Sequence, residues 1–224
     1  MELFHKLYRK SKRCLICNAT FTEEDHTCNI LGRKITVADD KDVEGNIVEG
    51  GIAQVIYVHE TIDKETKVKS NEHLLFYSTI NLETGRNEYS FEVVDLYKEN
   101  ILWTLHEEEE TGMSPVESDF HNPDNWERYD INQLGINSVY LFRGVCMYYI
   151  KPSLVEHAGS GAFAARRYEK GETIAYYDGK DVTDAAPEKT DYVLEIEHRL
   201  VDGFGAFHGL QYINDARGSE FRNN

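Results

Sequence analysis

Apolar residues along this chain fall in short runs and alternations separated by turn-forming residues, a pattern that predicts strands and no long amphipathic helix. Gln54-Val55-Ile56-Tyr57-Val58-His59 is a β-branched and aromatic run, followed by a turn at Asp63-Lys64-Glu65-Thr66 and the alternating Lys67-Val68-Lys69. Leu74 to Ile80 repeats the strand signal, Thr84-Gly85-Arg86-Asn87 is a second turn, and Tyr89 to Val94 alternates again. Gly45, Gly50 and Gly51 punctuate the first strands. Residues 31–105 therefore read as a β-rich module, a small barrel or a sheet packed on one face. Its aromatics Tyr57, Phe76, Tyr77, Tyr89 and Phe91 are either core or a cage for a methylated lysine held by cation–π contact.

From His106 the character changes. Glu107 to Glu110, then Gly112, Pro115, Asn122-Pro123 and Asp124, predict a polar linker over 106–138. A second strand system starts with Tyr140-Leu141-Phe142 and Val145 to Ile150, in which Cys146 is a core residue. Beyond it come the glycine turn His157-Ala158-Gly159-Ser160-Gly161-Ala162-Phe163-Ala164 and a charged hairpin, Arg166 to Glu172. An apolar run then leads into Tyr176-Tyr177-Asp178-Gly179, and a strand from Tyr192 to Ile196 precedes Leu200-Val201-Asp202-Gly203 and Gln211-Tyr212-Ile213-Asn214. The fold class expected is mainly β. Two modules are expected, at 31–105 and 139–224, behind a cysteine-containing segment at 1–30.

Charge narrows the partners. Lys and Arg number 24 against 40 Asp and Glu, a formal net charge of −16. That balance argues against direct nucleic-acid binding, which needs clustered cations, and favours attraction of a basic peptide such as a histone tail. The bland alternative is that acidity only maintains solubility. Arg9-Lys10-Ser11-Lys12-Arg13 is the local exception, read as a nuclear-import signal, a nucleic-acid contact or a solvated basic cluster. No apolar run reaches the ~20 residues of a membrane-spanning helix, so no membrane partner is expected.

Two groups of residues carry candidate chemistry. Cys14, Cys17, His26 and Cys28 offer thiolates and an imidazole suited to a tetrahedral zinc site, or else pack a small hairpin. Four cysteines in all, irregularly spaced, make no disulfide framework. In the second module, Gly159 and Gly161 permit positive φ and close approach of a ligand to the main chain. Tyr177 puts a phenol at the end of a predicted strand, where it can orient an amine for attack.

The order of these features over residues 148–224 resembles the SET domain, the fold of many S-adenosylmethionine-dependent protein-lysine methyltransferases. The resemblance implies that Gly159, Ser160, Gly161, Ala162 and Phe163 contact the cofactor. It implies the same for Asn214 and its neighbour Asp215, in the place of the family's asparagine–histidine pair. Tyr177 matches the tyrosine facing the lysine amine, and Tyr192 an aromatic near the substrate channel, although sheet packing is an equal reading of Tyr192. The chain departs from the family at Asp215, at Gln211 and Tyr212, which replace arginine and phenylalanine, and in lacking the Ser-Cys-x-Pro-Asn segment. The family's later strand, Gly-Glu-Glu-Leu segment and catalytic tyrosine do not follow Asn214 here, so the sequence reads as a carboxy-terminally truncated SET domain. The resemblance implies methyl transfer to a lysine ε-amine of a basic or histone substrate, in chromatin and the nucleus, with the cytoplasm as the other location. Two alternatives are a non-catalytic chromatin-associated binding protein that keeps the fold, and a zinc-dependent nucleic-acid binder.

Overall fold

A computed structural model describes residues 30–38, 51–62, 64–66, 69–96, 102–106, 117–184 and 192–213. The fold is mainly β, and its only helical segments among these residues are 3-10 turns. The chain divides into two compact units, residues 1–111 and 112–224.

The first unit holds a five-stranded antiparallel sheet. Its strands are β1 (Lys34–Ala38), β2 (Ile52–Ile62), β3 (Lys69–Ile80), β4 (Asn87–Val94) and β5 (Leu102–Leu105), in the order β4-β3-β2-β1-β5. Strands β2, β3 and β4 follow the predicted runs, and the hairpin turn between β3 and β4 is held by the Asn81 side chain, which accepts from the Glu83 and Thr84 amides. Two strands, β1 and β5, are too short to have stood out as runs. Packing on one face alone is not what forms. Ala53 to Ile56 and Leu74 to Phe76 are buried at consecutive positions, so both faces of the central strands are covered. The would-be cage aromatics are dispersed by the same alternation. Phe76 is buried between Tyr89 and Phe91, at ring-centroid distances of 5.6 and 5.4 Å, whereas Tyr77 packs with the core of the other face.

The second unit begins before residue 139. Within the expected linker, 3-10 turns at Glu117–His121 and Pro123–Asn125 lead into β6 (Trp126–Gln133), which pairs with β7 (Ile136–Phe142). Asn122-Pro123 and Asp124, which suggested a linker, stand at the 3-10 turn before this strand, and the strand itself alternates: Trp126 is buried, and partly exposed and exposed positions follow it in turn. β8 (Val145–Pro152) and β9 (Ser160–Ala164) complete a four-stranded sheet in the order β6-β7-β8-β9. Strands β7 and β8 are buried nearly throughout, Cys146 among them. A small sheet of β10 (Lys180–Asp181), β12 (Arg199–Asp202) and β11 (Val193–Ile196) follows.

Two local expectations are revised. Arg166 to Glu172 forms no hairpin ladder. It is a turn closed by side chains, with the Arg166 guanidinium paired to Glu172 and lying 4.1 Å from the Tyr168 ring centroid, and the Glu169 amide donating to Glu172 at 2.9 Å. Nor does the apolar run ending at Tyr177 join a sheet, because hydrophobicity reports burial and not ladder pairing. Ala175, Tyr176 and Tyr177 instead pack on an aromatic core of Phe120, Trp126, Tyr140, Phe142, Tyr148 and their neighbours.

One glycine shows how tight that core is. Gly209 has φ +65°, and a Cβ there would lie 2.5 Å from the Tyr140 hydroxyl oxygen. Gly209→Ala is therefore expected to destabilise the second unit by about 1–3 kcal/mol, through left-handed strain and overpacking. Denaturant unfolding measures the loss, and Tyr140→Phe in the same chain should recover part of it.

Candidate functional site

The glycine turn sits at the end of the sheet. Gly159 has φ +65°, its carbonyl accepts from the Ser153 amide at 2.8 Å, and the position of a Cβ on it would be open space. β9 then runs antiparallel to β8, with Gly161 opposite Lys151 and Ser160 opposite Pro152. Alternation divides the residues of the turn between two faces. Ala162 packs toward the aromatic core, which also takes in Tyr177, Leu210 and Tyr212. Phe163 goes the other way: its ring stacks on Tyr149 at 5.6 Å with the Lys151 ammonium 4.8 Å from its centroid.

Tyr177 and Tyr192 meet through the main chain. The Tyr177 hydroxyl donates to the Tyr192 carbonyl at 2.6 Å, and the Gly203 amide donates to the same oxygen at 3.0 Å. Gly203 is obligatory beneath the phenol, since a Cβ on it would come within 2.4 Å of the Tyr177 hydroxyl oxygen. Burial raises the Tyr177 pKa, and the Asp202 and Asp178 carboxylates raise it further, so the phenol keeps its proton. With its hydrogen committed to a carbonyl, Tyr177 offers an incoming group only its oxygen lone pairs. The Tyr192 ring lies 6.0 Å from Phe204, which is 71% exposed, and edge-on to Tyr212 at 5.9 Å. Tyr192 thus packs between an exposed ring and one that lies on the aromatic core.

Sequence reasoning missed the polar pair beside these tyrosines. Asp178 accepts from the Phe207 amide through Oδ2 at 3.2 Å, and its Oδ1 lies 3.3 Å from Nδ1 of His208. That contact is within ion-pair range but outside hydrogen-bond geometry, and Asp178 Oδ1 and both His208 ring nitrogens have no hydrogen-bond partner. His208 is buried, with the Trp126 ring edge-on at 5.1 Å. Desolvation pushes the Asp178 carboxyl upward, but the imidazole and backbone amides outweigh it and leave its pKa lowered. Gln211 Oε1, on the same turn, is a further buried atom without a hydrogen-bond partner. The one signal in the sequence was a histidine set among glycines and aromatics, Phe204 to Tyr212.

The remaining candidates lie outside the described residues. These are Cys14, Cys17, His26 and Cys28 of the zinc set, Arg9 to Arg13 of the basic cluster, Glu107 to Glu110, Gly45 and Gly50, and Asn214 and Asp215. The described chain ends its course at Ile213, directly after the 3-10 turn Leu210–Tyr212. Comparison with protein-family models, with curated proteins and with solved structures finds no match to this chain.

Two outcomes are expected. Tyr177→Phe removes one buried hydrogen bond and should lower the unit's stability by ~0.5–1.5 kcal/mol in thermal or denaturant unfolding. The acid limb tests Asp178. Its carboxyl is depressed in the folded state, so it contributes stability above the unfolded value of about 3.9, and that contribution is lost as pH falls through the folded value. Asp178→Asn should be the less stable protein at neutral pH, with the difference from wild type closing below about pH 4.

Proposed function

We propose that the chain transfers a methyl group from S-adenosylmethionine to the ε-amine of a lysine in a basic protein, a histone tail being the type of substrate. The observation that carries this reading is a convergence. Ala162 of the glycine turn, Tyr177 and the Leu210–Tyr212 turn leading to Asn214 pack on one aromatic cluster although they are far apart in sequence. These are the segments to which the SET resemblance attaches cofactor and amine contacts.

The residues suit such a ligand. Gly159 leaves open space beside a main chain in the left-handed region, and Ser160 adds a hydroxyl, so the turn can receive the polar amino-acid portion of the cofactor. When bound, S-adenosylmethionine supplies a methyl on a sulfonium sulfur that an amine lone pair can displace. The chain's own part is positioning. Tyr177, neutral and with its hydrogen held by the Tyr192 carbonyl, accepts an N–H from the substrate amine and so fixes the direction of its lone pair. Asp178 and Asp202 place negative charge beside this phenol, and the exposed Phe204 ring offers an aromatic face, both favourable to a cationic side chain. The alternative, a binding protein without turnover, draws on the same Tyr177–Tyr192 bond, which leaves the hydroxyl no hydrogen to give.

Calorimetry with S-adenosylhomocysteine should detect binding that Gly161→Val weakens at least tenfold, since a side chain in β9 displaces the turn. In parallel, a histone mixture with labelled cofactor should acquire methyl groups, and Tyr177→Phe should lower the rate by up to about tenfold, the worth of one orienting hydrogen bond. Unchanged affinity in Gly161→Val rejects the turn as the cofactor site. A basic peptide bound without any transfer rejects the enzyme in favour of the binding protein.

A further inference from the structure

Among the described residues of the second unit, the histidine most withdrawn from solvent is also the one left without hydrogen bonds. His208 is 8% exposed, and neither ring nitrogen has a hydrogen-bond partner. A buried polar group in that condition is costly, so its presence calls for a reason. The surroundings supply one. The His208 carbonyl is fixed by the Tyr148 hydroxyl at 2.6 Å, and Tyr140 closes over Gly209, so the main chain beneath the imidazole cannot drift. The ring faces the Asp178 carboxylate, whose Oδ1 lies 3.3 Å away while its Oδ2 accepts from the Phe207 amide at 3.2 Å. Asp178 is bonded in sequence to Tyr177, whose hydroxyl is seated on the Tyr192 carbonyl against Gly203.

We infer that His208 and Asp178 form a proton-operated clamp that sets the position of Tyr177. A neutral imidazole holds the carboxylate through one N–H at most. A protonated one brings a full charge to a partly buried carboxylate, where attraction is several-fold stronger than in water. Closing the contact from ion-pair range to a charge-assisted bond of about 2.7–2.9 Å draws Asp178 toward the turn and carries the adjacent tyrosine with it. The groups that face His208 are the Asp178 carboxylate, the Tyr148 phenol on its carbonyl and the uncharged rings of Trp126 and Phe207. Beyond them lie the Tyr140 and Tyr177 phenols and, next to Tyr177, Asp202. Burial raises the pKa of all three phenols, so they stay neutral in the range where imidazoles change charge. His208 and Asp178 are thus positioning residues, and their bearing on catalysis rests on the methyl-transfer reading, whereas the clamp itself does not.

The test is nuclear magnetic resonance on the chain with labelled tyrosine and histidine rings, followed through a pH titration. The Tyr177 signal is identified by its loss in Tyr177→Phe, and the His208 signal by its proximity to the Trp126 ring. The expected result is that the Tyr177 signal moves with pH along the same curve as His208, and that Asp178→Asn and His208→Gln each abolish the movement. A Tyr177 signal that stays fixed in wild type, or that keeps its curve in Asp178→Asn, overturns the clamp. Because the wild-type titration alone can overturn it, a variant that fails to fold does not protect the proposal. Where methyl transfer is measured alongside, kcat should follow this curve while KM does not. Absence of transfer in wild type counts against the proposed reaction only, and leaves the clamp to the resonance data.

Discussion

The second unit depends on tyrosine hydroxyls that donate to main-chain carbonyls outside its four-stranded sheet. The stretch from Gly203 to Ile213 has no ladder partner, only turns closed by single amide bonds such as Ala206 to Gly203 and Tyr212 to Gly209. Parts of it are nevertheless buried, and buried carbonyls must be paired. Long side chains supply further partners, one from the sheet and one from outside it. Tyr148 of β8 donates to the His208 carbonyl, and Tyr177 donates to the Tyr192 carbonyl that also accepts from Gly203. A phenol spans a distance that a backbone amide cannot, and its ring fills the space it crosses.

That solution explains the glycines nearby. Where a ring must lie flat against the main chain, there is no room for a Cβ, and this holds at Gly203 under Tyr177 and at Gly209 under Tyr140. It also explains why the aromatic content of the unit is concentrated rather than spread. Phe120 stacks on Phe142 at 4.5 Å and Tyr140 on Tyr148 at 5.0 Å, with Trp126 donating to the Phe120 carbonyl at 3.0 Å. The aromatic core and the hydrogen-bonded support of the turn are made by the same side chains.

How much of this was legible follows from the kind of signal each residue leaves. Strands β2, β3, β4, β7 and β8 were visible because a run of apolar residues needs no knowledge of its partner. Strand β6 was hidden because Asn122-Pro123 and Asp124 run on from the acidic stretch before it and suggested a linker, whereas Arg128 and Asp130 are exposed positions of an edge strand and pair with each other at 3.0 Å. Tyr177 was picked out for its hydroxyl, and the hydroxyl is indeed engaged, but its partner is a carbonyl fifteen residues away that no local pattern encodes. His208 and Asp178 were opaque for the same reason. A contact between a histidine and an aspartate thirty positions apart is written in the path of the chain and not in any spacing along it.

This difference bears on what kind of site the second unit holds. Groups placed by sheet register are fixed to within the tolerance of a ladder, and the β9 end of the glycine turn is of that sort, held opposite Lys151 and Pro152. Tyr177, Asp178 and His208 are placed by side-chain bonds from segments without ladders, so their positions follow the strength of a few individual contacts. One half of the site is therefore rigid by construction and the other adjustable by protonation or by a ligand. The proposed methyl transfer would need both properties, a fixed seat and a group that can be brought to it. The imidazole without hydrogen bonds is where the proposed clamp would control the adjustable half, because a change of charge there acts on a partly buried carboxylate joined directly to Tyr177.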